Sequence, residues 1–320
     1  MKRIAGVRWA ATFALLTGTA TTKLHAQMQQ AGGTRPAISR DGQWIAYQAA
    51  RDGLWDIYVA RIDGSAERRI TDFSEKNFAA LGPPSWLGDK ILAARRTSSG
   101  TQVALFAGPN TSGQVAQTAS IPTDARSLRP SPDGKRIVFV RGTGQHSKLS
   151  VATIEGGDVR DLTDGSKAVL NPDWSPDGSR VAFTLVDSAG VLADTTATGS
   201  VMTVNADGTG LQRVGTLSAS DGVPIWPSWS PNGRSIVVQS GNYMRPKMED
   251  KTADLWLVDV ASGRVSKLAP HPERSYLNEA PAWFPDGSRI AFQSNRTGTL
   301  QVWTMKPDGT DARQLTGNTP

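Results

Sequence analysis

The chain has 320 residues, of which 35 are basic and 29 acidic, with 10 tryptophans and no cysteine. The missing cysteines exclude disulfides, thiolate metal sites, a cysteine nucleophile and a lipidated cysteine anchor. Four of the basic residues (Lys2, Arg3, Arg8 and Lys23) and no acid fall in residues 1–26, leaving 31 basic against 29 acidic. That near-balance gives no bulk attraction to nucleic acid or to an anionic membrane surface.

Residues 1–26 have a charged start, a short apolar run and small residues ending in Leu24-His25-Ala26. This is the pattern of a secretory signal peptide with cleavage between Ala26 and Gln27, and it implies a periplasmic or secreted protein. A retained anchor is the alternative, disfavoured because the uncharged run at 9–22 is short for a bilayer span. Residues 27–34, QMQQAGGT, read as a short linker.

From residue 35 to 320 the chain repeats. PDWSPDGSRVAF at 172–183 returns as PAWFPDGSRIAF at 281–292 and PSWSPNGRSIVV at 227–238. Pro presets the first turn dihedral, Asp tolerates the bridge or left-handed region and Gly accepts a positive φ; a β-branched and aromatic run follows as a strand. Six such turns occur: SRDGQWIAY (39–47), WLGDKILAA (86–94), SPDGKRIVF (131–139), SPDGSRVAF (175–183), SPNGRSIVV (230–238) and FPDGSRIAF (284–292). The anchor before each turn is Ile38, Trp86, Pro130, Trp174, Trp229 and Trp283, at spacings of 48, 44, 44, 55 and 54 residues. A buried Trp removes roughly 150–250 Å² from water, a gross gain of about 4–6 kcal/mol.

Each unit supplies further strand-like pieces. In the last unit these are LQVWTM (300–305), a PDGT turn and ARQLT (312–316); in the first they are WDIYVAR, IDGS and ERRIT. A period of about 40–50 residues with four strands per unit, and no amphipathic helix, predicts an all-β fold: a six-bladed β-propeller of four-stranded antiparallel blades. All six units start and end in the same phase, so no strand need be shared at closure. Blades one and three lack the anchor Trp and are expected to pack less well.

The pattern P-x-W-S-P-D-G-x-x-I-A-F, then R-x-G, I-Y, D-G and L-T, resembles the propeller repeat of the TolB family over residues 35–316. Related repeats occur in propellers of tricorn-type and prolyl-oligopeptidase-type peptidases. The resemblance implies a non-catalytic protein-binding scaffold, an accessory subunit of an envelope membrane assembly. Two departures bear on that: the repeats begin within about ten residues of the expected cleavage site, so the N-terminal α/β domain of TolB is not expected here, and neither is the α/β-hydrolase domain of the peptidases.

The catalytic search points the same way. There is no G-x-S-x-G elbow, and His146 and His271, the histidines beyond the leader, sit in no metal-ligand spacing. Asp-Gly pairs at 63, 177, 207, 286 and 308 recur at turn positions, which turn chemistry explains better than metal. No catalytic residue, cofactor or metal is therefore expected. The repeats differ most in the connections at 187–200 and 241–253, which are predicted to share one face with the inter-blade connections at 71–84 and 269–281. Loops on a rigid scaffold carry function, so the candidate partner-binding face comprises Tyr243, Arg245, Lys247, Glu249, His271, Glu273 and Arg274. The expected partner is an envelope protein, the propeller itself being a monomer. The alternatives are an enzyme acting on glycans or peptides at the channel mouth and a small-ligand or glycan module, for which Trp226 and Tyr276 are the aromatics to inspect.

Overall fold

The structure is a computed structural model, and it describes residues 33–51, 54–71, 83–97, 100–109, 114–119, 121–122, 124–187, 198–218, 220–241, 252–268 and 276–317. Six four-stranded antiparallel sheets follow one another along the chain. Blade 1 is β1 (Thr34–Ile38), β2 (Trp44–Arg51), β3 (Leu54–Arg61) and β4 (Arg68–Arg69). Blade 2 is β5 (Ser85–Leu87), β6 (Lys90–Thr97), β7 (Gly100–Phe106) and β8 (Gln114–Ala119). Blade 3 is β9 (Arg126–Pro130), β10 (Arg136–Thr143), β11 (His146–Thr153) and β12 (Arg160–Asp161). Blade 4 is β13 (Val169–Trp174), β14 (Arg180–Val186), β15 (Gly199–Asn205) and β16 (Gln212–Thr216). Blade 5 is β17 (Ile225–Trp229), β18 (Ser235–Gly241), β19 (Ala253–Asp259) and β20 (Val265–Leu268). Blade 6 is β21 (Asn278–Trp283), β22 (Ile290–Ser294), β23 (Gln301–Met305) and β24 (Arg313–Gln314). The fold is the six-bladed propeller that the repeats predict.

The repeated turn closes through its side chains. In blade 4, Gly178 (φ 69°) donates to the Ser175 carbonyl at 2.9 Å. Asp177 Oδ1 accepts from Ser175 Oγ at 2.6 Å and from the Ser179 N–H at 3.0 Å. These bonds hold the Asp177 carboxyl down at about 2. Because its folded pKa lies below the unfolded value, this stabilisation is present above about pH 4 and is lost as pH falls toward 2. Asp177→Ala is expected to lower stability by about 1 kcal/mol at pH 7, the turn being solvent-exposed. In thermal melts the deficit relative to wild type should shrink below pH 4.

The L-T motif has an equally local cause. The outermost strands β4, β12 and β24 are two residues long. Beyond them, the Ile70, Leu162 and Leu315 N–H groups donate to Ile57, Leu149 and Val302 carbonyls at 2.7–2.8 Å. The next residue, Thr71, Thr163 or Thr316, accepts the N–H of that same Ile57, Leu149 or Val302 on its hydroxyl at 2.9–3.0 Å. A threonine hydroxyl thus completes the ladder where the backbone turns away, which satisfies a buried donor.

The cores lie between blades. One cluster joins Val138, Val140, Leu149 and Val151 of blade 3 to Trp174, Val181, Phe183 and Met202 of blade 4. Five others join blades 1 and 2, 2 and 3, 4 and 5, 5 and 6, and 6 and 1. Anchors Trp174 and Trp229 are buried at such boundaries, and Trp86 and Trp283 are partly buried there. Two of these indoles also reach across: Trp86 Nε1 donates to the Ala37 carbonyl at 2.9 Å and Trp174 Nε1 to the Arg129 carbonyl at 3.0 Å. The Arg after the turn lies on the next blade's anchor, with Arg136 4.7 Å from the Trp174 ring centroid and Arg180 5.0 Å from that of Trp229. Arg136→Met keeps the stem but loses the stacking and a 2.9 Å bond to the Gly178 carbonyl. It is expected to lower stability by about 1–2 kcal/mol in urea titration.

Candidate functional site

The innermost strands β1, β5, β9, β13, β17 and β21 surround the propeller axis, and five of them carry the same irregularity. In blades 1, 3, 4, 5 and 6 the pairing of first and second strands shifts register between the fourth and first residues before the anchor. The residue three before the anchor takes a positive φ: Arg35 at 51°, Ser127 at 51°, Asn171 at 48°, Trp226 at 55° and Ala280 at 48°. Left-handed backbone in such residues costs about 1–2 kcal/mol each, so the ring holds strain at one level of the channel. Blade 2 has Pro83 at that place, whose ring fixes a negative φ, and its register runs without a shift.

Hydrogen bonds from neighbouring blades hold these bulges. The Arg35 N–H donates to Gln293 Oε1 at 2.9 Å and the Ala280 N–H to Gln239 Oε1. The glutamine at the corresponding place in blade 1, Gln48, takes Arg35 Nη1 at 3.3 Å. Gln293 also donates through Nε2 to Glu279 Oε2 at 2.6 Å, so one side chain joins the last blade to the first.

The Pro of P-x-W is buried in β1, β13, β17 and β21, whereas x touches solvent in those strands. Around the ring, x is Ala37, Ser85, Arg129, Asp173, Ser228 and Ala282. Two of the six are charged, and Glu279 and Arg35 add charges nearer the inter-blade connections. Arg129 Nη1 donates to Ser85 Oγ and the Leu128 carbonyl, both at 3.2 Å. Asp173 Oδ2 accepts the Trp229 N–H at 2.9 Å. Burial pushes the Asp173 carboxyl up to about 6, with Arg129 and the Trp229 and Trp174 N–H groups pulling it back. Burial also raises Glu279, against the pull of Gln293, Arg35 and Gln239, and lowers Arg129, with Asp173 opposing. Cations thus lie on blades 1 and 3 and carboxylates on blades 4 and 6. The Trp229 N–H bonds the first of these carboxylates, and Gln293 the second.

The sequence-derived candidates fare differently. Tyr243, Arg245, Lys247 and Glu249, and likewise His271, Glu273 and Arg274, lie outside the described residues. Trp226 is half-buried at a bulge, with the Arg35 guanidinium 5.6 Å from its ring centroid. Tyr276 is half-buried, with the Arg296 guanidinium 5.8 Å away. The Asp-Gly carboxylates are turn acceptors: Asp63, Asp207, Asp286 and Asp308 each take the N–H two residues on at 2.8–2.9 Å. Among the described residues, no group of three or more His, Asp or Glu side chains is placed to hold a metal. Arg129, Asp173 and Glu279 were not singled out from sequence. Reading the x column of the six units side by side was the signal that could have found the first two.

The TolB beta propeller domain matches residues 136–319, more than half of the chain. The chain belongs to the TolB β-propeller family. The Lipoprotein LpqB beta-propeller domain matches residues 12–156. Among relatives of this TolB-family propeller, uncharacterized protein Atu1656 of Agrobacterium fabrum is 24% identical over 224 residues, 59% of this chain and 72% of the relative. Protein TolB homolog of Chlorobium luteolum is 29% identical over 177 residues, 55% of this chain; the match spans 35% of that homolog. Among solved structures, TolB from Acinetobacter baumannii matches with a TM-score of 0.66 at 16% identity, covering 87% of this chain and 64% of that one. Oligogalacturonate lyase from Vibrio parahaemolyticus matches with a TM-score of 0.55 at 12% identity, covering 92% and 79%. At these identities the solved structures share the fold with this TolB-family propeller.

Proposed function

We propose that this TolB-family propeller is a non-catalytic, protein-binding scaffold of the cell envelope, an accessory subunit of a membrane assembly. Residues 1–26 direct export and are removed between Ala26 and Gln27, residues 27–34 are a linker, and 35–320 form the binding domain. Family membership carries this reading, and a ring of six complete blades supports it as a rigid platform for loops. No helix among the described residues is long and apolar enough to cross a membrane. The docking face is that of the connections at 187–200, 241–253, 71–84 and 269–281, with Tyr243, Arg245, Lys247, Glu249, His271, Glu273 and Arg274 as contacts; Tyr and Arg are favoured interface anchors. The test is capture from envelope extracts by the processed protein, identification of the captured protein, and its titration against purified wild type and a 242–252 deletion. At least a tenfold loss in affinity is expected on deletion, and unchanged affinity sinks the assignment of this face.

One observation favours a second reading, an enzyme at the channel mouth: Asp173, held near 6, suits a general acid. Turnover of glycans or peptides that disappears in Asp173→Asn, with partner capture intact, would establish it.

A further inference from the structure

The x position of P-x-W shows what the channel demands of its lining. Four blades place Ala37, Ser85, Ser228 and Ala282 there, so the scaffold is satisfied by small, uncharged side chains. Blades 3 and 4 instead place a guanidinium and a carboxylate where burial disfavours both charges. Buried charges are retained against a desolvation cost that apolar residues would avoid. Glu279 repeats the pattern on blade 6, its carboxylate fixed by Gln293 and shifted by burial. In a ring of six, blade 3 faces blade 6, so Arg129 and Glu279 approach the axis from opposite sides. Arg129 lies one residue before its anchor and Glu279 four before its own, so the cation is deeper and the carboxylate nearer the inter-blade connections. Arg129, Asp173 and Glu279 are each half-buried rather than fully enclosed.

We infer that the channel is a binding site for a small zwitterion, a free amino acid or short peptide. Its carboxylate is taken by Arg129 and its ammonium by Glu279, with Asp173 as the carboxylate beside Arg129. Guanidinium pairs with carboxylate through parallel N–H bonds, and ammonium suits a carboxylate already oriented by an amide. Trp226, on the bulge of blade 5, lies at that level with the Arg35 guanidinium 5.6 Å from its ring centroid. This site is independent of the loop face, and neither reading rests on the other.

The test uses the processed full chain and a ladder of glycine, diglycine, triglycine and tetraglycine, each with its N-acetyl and C-amide forms, followed by calorimetry. At least one free member is expected to bind, with affinity at least tenfold above either of its blocked forms. Arg129→Met should remove discrimination against the amide, and Glu279→Gln discrimination against the acetyl form. The idea is overturned if no free member binds wild type, if the blocked forms bind equally well, or if both folded variants bind like wild type. The blocked ligands probe wild-type protein, so the result stands even where a variant does not fold.

Discussion

Trp174→Ala is expected to lower folding stability by about 3–5 kcal/mol, the largest effect of any single change in the repeated motif. Three losses coincide at this residue. The indole leaves the cluster between blades 3 and 4, where it packs among Val138, Val181 and Phe183. Its bond to the Arg129 carbonyl at 3.0 Å disappears, leaving an inner-strand acceptor of the neighbouring blade without its partner. Arg136 loses the ring on which it lies at 4.7 Å. Trp174→Phe restores most of the buried area but neither the N–H nor the full ring, and about 1–2 kcal/mol should still be missing. Urea titration of the three proteins measures both steps. If alanine costs less than about 1 kcal/mol, stability does not reside at the blade boundaries.

Asp173→Asn is expected to gain stability relative to wild type as pH rises. The unfolded carboxyl titrates near 3.8 and the folded one at about 6. Below about pH 4 it is protonated in both states and contributes nothing. Between 4 and 6 the unfolded chain ionises while the folded protein keeps its proton, so stability falls; above 6 the penalty is complete. The shift corresponds to about 3 kcal/mol, and the half-buried position of Asp173 reduces that to about 1–3 kcal/mol. The difference between Asp173→Asn and wild type should therefore move by that amount in favour of asparagine from pH 4 to pH 7.5. A difference independent of pH means that the carboxylate is not desolvated. A residue that weakens its own fold at neutral pH is the behaviour expected of a binding group rather than of a packing group.

The legible parts of this protein are those whose physics is local. Asp177 reaches Ser179 two residues on, and the Ser175 hydroxyl caps Arg180 five residues on, so a twelve-residue string specifies the turn. The threonine of L-T meets the strand 14 residues before it, still within one unit. Six repetitions of such units fix the blade count and order, which agree with the sheets. Ile38 in blade 1 shows where the anchor reasoning was narrow: the blade 6–1 boundary is filled with Tyr47, Tyr58 and Val302 instead of an anchor Trp.

The channel was not legible because its chemistry depends on ring closure. Arg129 and Asp173 occupy the unspecified letter of the motif, and they acquire meaning only when six such letters meet around one axis. The bulges left no compositional trace either: Arg, Ser, Asn, Trp and Ala occupy the left-handed position, and of these Asn is the type that accepts it readily. Nothing local in the sequence around Trp226 signals the left-handed backbone and the contact with Arg35 that place it in the channel wall.

Every blade is built from consecutive chain, and the last meets the first through the Gly33 N–H to Leu300 carbonyl bond at 3.2 Å, the Arg35 N–H to Gln293 and the packing of Val302 against Ile45 and Tyr47. Residues 33 and 316 are neighbours, since a Cβ on Gly33 would lie 2.8 Å from Thr316 Oγ1. The circle therefore has no privileged starting point. Joining the two ends with a short glycine-serine bridge and opening the chain at any of its five inter-blade connections should yield five circular permutants with the same fold and similar melting temperatures.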